Sequence, residues 1–309
     1  MSGKARLLCA GEALIDMLPR RTAEGETAFA PHPGGATLNA AIAAARLGLP
    51  TTVFTGLSTD LFGAQLACAM EADGVDTSLA LRTGRPTTLA FVSLTEGHAR
   101  YEFYDENTAG RMIGVDDIPA IPGGVAAALF GGISLAVEPA AEAYAALADR
   151  AQAAGKVVML DPNIRPGFIS DPARYRARLD RLLAKTDILK LSDEDLQWWQ
   201  GTGDAQALLG RGPSLVLLTR GAKGAVAYRK GGAVEVAADP VRVVDTIGAG
   251  DTFNAGFLSG LDEAGALTRA ALLAVPDDVV TAALTLATRA AAVTVSRAGA
   301  NPPKRHELA

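Results

Sequence analysis

The chain has little of several things that mark common functional classes. Aromatic residues make up 5% of its 309 residues, too few for the stacking platforms of single-strand nucleic-acid binders. There are two cysteines, Cys9 and Cys68, and neither sits in a Cys-x-x-Cys pair. No disulfide framework or zinc site is suggested; both read as small core residues of a reducing compartment. Three histidines, His32, His98 and His306, match no metal spacing and no triad. Basic runs are absent, and the net charge of −5 with a pI near 5.3 argues against nucleic acid as a partner. The longest charge-free run, 118–137, contains Pro119, Pro122 and four glycines. It reads as a loop and a buried strand, with no membrane partner. Near the start, a short apolar run gives way to Glu12 and Asp16, unlike a secretion signal. A cytoplasmic protein is expected.

Hydrophobic residues make up 49% and charged residues 20%, so the chain can bury a large core. Short apolar runs, at 7–10, 52–55, 128–132, 157–160, 188–191 and 215–219, alternate with helical patterns near 37–47, 62–72, 140–154, 173–184 and 252–264. Strand and helix in alternation predict an α/β fold, with helices on both faces of a mostly parallel sheet. Two β-prone runs, 90–94 and 100–104, joined by 95–99, break the rhythm and read as a hairpin with one wet face. The polar stretch 20–33 is similarly non-helical. Together they predict one domain, 1–309, with lid segments of about 12–33 and 88–106 over the carboxyl ends of the strands, where ligands of such sheets bind.

The strongest chemical signal is Asp245-Thr-Ile-Gly-Ala-Gly-Asp-Thr-Phe253, which follows a β-like run at 241–244 and opens an apolar helix pattern. Gly248, Ala249 and Gly250 allow a tight turn whose main-chain N–H groups, at the positive end of the helix, cradle phosphate oxygens. Asp251 beside that cradle would repel phosphate. It makes sense as a base that takes a proton from an attacking hydroxyl, while the cradle stabilises the transferring phosphoryl group.

This nonapeptide resembles the C-terminal signature of the ribokinase-like (PfkB) carbohydrate kinases. The segment Pro33-Gly-Gly-Ala-Thr-Leu-Asn39, with the helical run to Gly48, is similar to that family's N-terminal sugar-binding signature. The resemblance spans nearly the whole chain. It implies a three-layer α/β/α sandwich with a small β lid, and ATP and Mg²⁺ as cofactors. Gly34 and Gly35 would let the main chain approach a sugar, and Asn39 offers a donor and an acceptor to its hydroxyls. Asp16 resembles the family carboxylate that grips sugar hydroxyls. Tyr101 and Phe103 alternate on the lid strand; they either cover a sugar or pair two lids in a homodimer.

Further matches are narrower. Asp161-Pro-Asn-Ile-Arg165 is similar to a motif of the fructokinase and 2-keto-3-deoxygluconate kinase branches, and Arg165 would meet substrate or transferring phosphate. The resemblance implicates Lys190, Thr219, Gly221 and Gly224 in nucleotide binding; read as sequence alone, 219–224 is a glycine-rich hairpin turn. Ser192-Asp-Glu-Asp195 stands where relatives carry Asn-x-x-Glu, so Glu194 or Asp195 would hold Mg²⁺ through water. Asp245, with carbonyls near Ile247 and Gly299, resembles the family's monovalent-cation site, a place for K⁺. Trp198 and Trp199 read as packing residues.

Three classes compete. A dinucleotide-dependent dehydrogenase should carry Gly-x-Gly-x-x-Gly after its first strand, where this chain reads Ala10-Gly-Glu-Ala-Leu-Ile15. A non-catalytic sugar- or nucleotide-binding relative would not need Asp251. A sugar kinase needs it, and the start of the chain together with 161–165 and 190–194 points to fructose, phosphorylated at its 6-hydroxyl. The acid sugar 2-keto-3-deoxygluconate is the alternative; Arg100, Arg111 or Arg165 would pair with its carboxylate.

Overall fold

The computed structural model describes residues 6–95, 98–201 and 203–308, without the side chains of residues 6 and 93–101. In chain order it begins with β1 (Arg6–Ala10), β2 (Leu14–Arg21), β3 (Thr27–Gly34), α1 (Ala36–Arg46), β4 (Thr51–Phe54), β5 (Gly56–Ser58), α2 (Leu61–Ala72) and β6 (Leu81–Thr83). It continues with β7 (Leu89–Thr95), β8 (His98–Tyr104), β9 (Val125–Gly131), α3 (Ala140–Ala153), β10 (Val157–Asp161), α4 (Pro172–Leu183), β11 (Ile188–Ser192) and α5 (Asp193–Gln200). The last elements are β12 (Leu215–Thr219), β13 (Ala225–Arg229), β14 (Gly232–Val236), α6 (Ala249–Glu263), α7 (Arg269–Leu272) and α8 (Asp277–Val295).

Eight strands form the central sheet in the order β14-β13-β12-β11-β10-β9-β1-β4. Pairing is parallel from β4 to β12, and antiparallel only at the β12-β13-β14 edge. Both faces are covered, so the inner strands are mostly apolar. Successive residues serve opposite cores. Leu7 and Cys9 pack with α1, α2, α6 and α8, whereas Leu8 and Ala10 pack with α3, α4 and α5. Local signals fix several helix starts. Asp171 accepts from Arg174 N ahead of Pro172 at the first position of α4, and Ser192 and Asp195 form a capping box on α5.

A second sheet, β3-β2-β7-β8, stands apart from the first. Its two hairpins come from separate stretches and join through parallel pairing of Ile15, Asp16 and Met17 with Leu89, Ala90 and Phe91. One face carries Leu14, Ala90 and Phe103, which pack with Ile133 and Phe168 of the core. On the other face Phe91 contacts Phe29 and Tyr104 edge to face.

Helix α6 lies directly against α8. A Cβ on Gly256 would come within 2.7 Å of Ala287 Cα, and one on Gly260 within 2.6 Å of Ala283 Cα. Small residues bring the two backbones this close. Helix α8 is long and apolar enough to cross a membrane by length and composition alone, and half of it is buried within the protein.

The expected strands and helices are present, with corrections. The run Val241–Val244 is exposed coil, not a strand; Val244 N and Asp245 N both donate to Val295 O at the end of α8. Cys68 is exposed rather than in the core. Asp16 lies on β2, in the second sheet. Trp199 is buried, and Trp198 packs between Tyr175 and the Arg176 guanidinium, as expected.

Candidate functional site

The carboxyl ends of β1, β9 and β10 converge beneath the second sheet. There a cleft of about 200 Å³ is lined by Glu12, Asp16, Gly35, Asn39, Phe103, Arg165 and the turn Thr246–Asp251, among others. The elements that bound it lie far apart in sequence, and the sheet order makes them neighbours.

The floor on one side is the start of α6. Gly248 is its N-cap, with φ +76° in the left-handed region that glycine tolerates, and no side chain caps the helix. The first-turn N–H groups of 248–250 therefore head the helix with its positive end toward the cleft. Lys190 lies underneath, with Nζ 3.1 Å from where a Cβ on Gly250 would stand.

Asp251, only 7% exposed, reaches the same floor. Asn39 Nδ2 donates to its Oδ2 at 2.9 Å. Burial pushes the Asp251 carboxyl up to about 7; Asp161 and Glu12 add to the rise, while Asn39 and Lys190 oppose it. A carboxylate poised there, beside a cluster of main-chain donors, can take a proton from an alcohol near neutral pH.

Asp161, Lys190 and Asn254 form a buried group behind the floor. Lys190 Nζ lies 3.1 Å from Asp161 Oδ2, and Asn254 Nδ2 donates to the same oxygen at 2.6 Å. Burial alone would depress the Lys190 ammonium, but Asp161 and Asp195 hold its pKa above the ordinary value. Lys190 is 4% exposed and pairs with Asp161 directly beneath Gly250.

Across the cleft, Asp16 faces Arg165. Burial pushes the Asp16 carboxyl up to about 6, against the pull of the Arg165 guanidinium. Arg165 is exposed, held by bonds from Nη1 to the carbonyls of Asn163 and Ile164 at 3.3 and 3.2 Å. Gly35 is required as a glycine, and Gly34 leaves room for the Asp16 carboxylate. A Cβ on Gly34 would stand 2.1 Å from Asp16 Oδ2, and Gly35 adopts φ +98° against Glu12 O. Phe103 caps the cleft and contacts Phe168 edge to face at 4.8 Å. The expectation for the Tyr101 side chain lies outside the described residues.

Other expected residues lie elsewhere. Thr219, Gly221 and Gly224 sit at the carboxyl end of β12, on the same edge of the sheet but outside this cleft. Thr219 Oγ1 donates to Leu191 O at 3.3 Å. Glu194 is exposed. Asp195 is buried; its Oδ1 accepts from Ile164 N at 2.7 Å, and its Oδ2 from Ser192 N and Oγ at 2.9 and 2.8 Å. It braces the 161–165 loop against α5. Among the described residues, no group of three or more His, Cys, Asp or Glu side chains is placed to hold a metal. Asp245 accepts from Ile247 N at 3.0 Å and Gly299 N at 2.9 Å, so it ties these two segments together.

Sequence reasoning missed Glu12, Asn254 and the structural part of Asp161. Glu12 lines the cleft at 8% exposure. Its one signal was a charged residue closing an apolar strand.

The comparisons with known proteins agree with this geometry. Residues 4–307 match the description "pfkB family carbohydrate kinase". The chain is 52% identical to a fructokinase of Rhizobium leguminosarum bv. trifolii, over 85% of this chain and 82% of that protein. The crystal structure of Xylella fastidiosa fructokinase with bound ATP superposes with a TM-score of 0.89 at 31% identity, covering 99% of this chain and 98% of that one. Vibrio cholerae O395 fructokinase, in a form with fructose, ADP and calcium bound, gives 0.85 at 26%, with 99% and 98% covered. The fold is ribokinase-like. The chain belongs to the pfkB family of carbohydrate kinases, phosphotransferases that act on a sugar hydroxyl.

Proposed function

We propose that the protein transfers the γ-phosphoryl group of ATP to the 6-hydroxyl of fructose, with Asp251 as the general base. The observation that carries this is the buried Asp251 carboxylate, held by Asn39 at the head of α6, inside a cleft also bounded by Asp16 and the second sheet. The likeness to fructokinases at 52% identity supports the choice of sugar.

In this reading the sugar lies between Asp16, Asn39 and the Gly34–Gly35 backbone, under Phe103. Its hydroxyl donates to Asp251, which takes the proton as the oxygen attacks phosphorus. Charge on the transferring group falls on the N–H donors of Gly248, Ala249 and Gly250, with Lys190 below them. Arg165 stands at the rim of the cleft, on the path of the phosphoryl group. The nucleotide extends toward the end of β12, past Thr219, Gly221 and Gly224. A divalent cation, proposed as Mg²⁺, would neutralise charge on the triphosphate, and Glu194, exposed at the start of α5, would meet it through water. Asp245, between the 247 and 299 segments, is the place proposed for K⁺.

The second sheet acts as a lid inserted in one kinase unit. Its outer face, with Phe29 40% and Tyr104 56% exposed, is the surface proposed for a homodimer. The reaction is assigned to the cytoplasm, where ATP is supplied.

The acid-sugar alternative is weaker on one observation. Of its cations, Arg111 is engaged by Glu138 O at 3.2 Å and Asp105 at 3.9 Å, and the Arg165 charge is offset by Asp16. The Arg100 side chain lies outside the described residues. A neutral polyol suits this balance better. An ADP-release assay across fructose, ribose, glucose, 2-keto-3-deoxygluconate and nucleosides tests the proposal. Fructose should give the highest kcat/KM; a higher value for any other acceptor overturns the sugar assignment.

A further inference from the structure

Glu12 is a buried acid that none of the steps above uses. It follows β1 and lies between two chain segments that form the sugar side of the cleft. Its Oε1 accepts from Ala36 N at 3.1 Å, and its Oε2 accepts from Ser134 N at 3.2 Å. Ala36 is the first residue of α1, whose N-cap, Gly35, offers no side chain. Ser134 lies in the short 3₁₀ turn Ile133–Leu135, whose N-cap, Gly132, offers none either. One carboxylate therefore caps two uncapped turns from a third segment.

The neighbouring glycines fit that carboxylate. A Cβ on Gly132 would stand 2.1 Å from Glu12 Oε1, and one on Gly35 would stand 2.7 Å from Glu12 O. Glu12, Gly35, Ala36, Gly132 and Ile133 all line the cleft. The segments it joins are the Gly34–Gly35 approach and the Gly132–Ser134 turn, both of which border the cleft.

We infer that Glu12 is a positioning residue for the sugar, a staple that fixes the distance between the Gly35–Ala36 and Gly132–Ser134 backbones. This deepens the proposed function and rests on it. Burial raises the Glu12 carboxyl above the ordinary value, and the main-chain N–H groups of Ser134 and Ala36 oppose that rise by favouring the ionised form. Its charge also acts on Asp251, which faces Asp161, Lys190 and Cys9 as well.

The test compares Glu12→Gln with Glu12→Asp in the full-length enzyme. Gln keeps the volume but turns an N–H₂ toward one of the two donors. Asp keeps the charge but is one methylene short of the span. Both variants should raise the fructose KM about tenfold or more, the loss expected for one buried bond to a charged acceptor, with the ATP KM changed less than about twofold. Glu12→Gln alone should shift the acid limb of the rate profile to lower pH, because a negative neighbour of Asp251 is gone; Glu12→Asp should leave it in place. Equal rises in both KM values, an unchanged fructose KM, or failure of both variants to fold assigns Glu12 to the fold alone and overturns the inference. Wild-type turnover on fructose, measured alongside, reports separately on the proposed function.

Discussion

Asn39 Nδ2 and Asp251 Oδ2 lie 2.9 Å apart, although their residues are 212 positions apart in the chain. The bond ties the start of α1, on the sugar side, to the start of α6, on the phosphate side. It also sets the charge state of the base, since burial raises the Asp251 pKa and this donor restrains it.

Asp251→Asn should keep sugar and ATP binding and lower kcat by roughly 10²–10⁴ or more. In the wild type, kcat/KM should climb as pH rises through about 7, where Asp251 becomes ionised. Near-normal turnover by the variant would refute the base assignment.

The same shift makes a stability prediction. The folded state holds the Asp251 proton more tightly than the unfolded chain does. Between the ordinary value of 3.8 and about 7, rising pH therefore costs the wild type stability, and the deficit is complete above 7. Asp251→Asn has no such linkage and keeps an oxygen for Asn39. Its Tm advantage over the wild type should be larger at pH 8 than at pH 5 by calorimetry; an advantage that shrinks over that interval contradicts the raised pKa.

Asn39→Leu removes a donor to the ionised base. The acid limb of the rate profile should move to higher pH, and kcat/KM for the sugar should fall by roughly 10- to 100-fold. An unmoved limb would show that Asn39 does not tune the base.

Gly34→Ala places a methyl group where Asp16 Oδ2 now stands. The fructose KM should rise sharply while the ATP KM holds. A parallel rise in both would mean that the change disturbs more than the sugar side.

Lys190→Met leaves Asp161 buried without its cation and should destabilise the fold by about 3–5 kcal/mol in urea unfolding. Adding Asp161→Asn should return part of that loss. Additive losses would mean that the pair at 3.1 Å is uncoupled.

Much of the site was legible because glycines and an acid at fixed spacing leave few readings. The segments 33–39 and 245–253 land on opposite sides of one cleft, and most expected strands agree with the observed ones within three residues at either end. The failures are physical. Val241–Val244 looks like a strand by composition, but among the described residues no strand pairs with it, and its last residue bonds instead to Val295 O at the end of α8. Helix α8 was not among the expected helices, although its buried residues Val280, Ala283, Leu284, Ala287, Ala290 and Thr294 recur at helical spacing. The main-chain donors to Asp195, from Ile164 and Ser192, are ones that residue patterns do not display. Glu12 was missed for the same reason: its two partners, Ala36 N and Ser134 N, belong to residues 24 and 122 positions away.

The glycine-to-alanine contact of α6 with α8 has a consequence for damage at a distance. Methyl groups at residues 256 or 260 would wedge the helices apart from behind, and α6 would carry its leading turn with it. Such lesions, more than one helical turn away from the reacting atoms, should cripple turnover by tilting the phosphate cradle and Asp251 with it, although neither glycine lines the cleft.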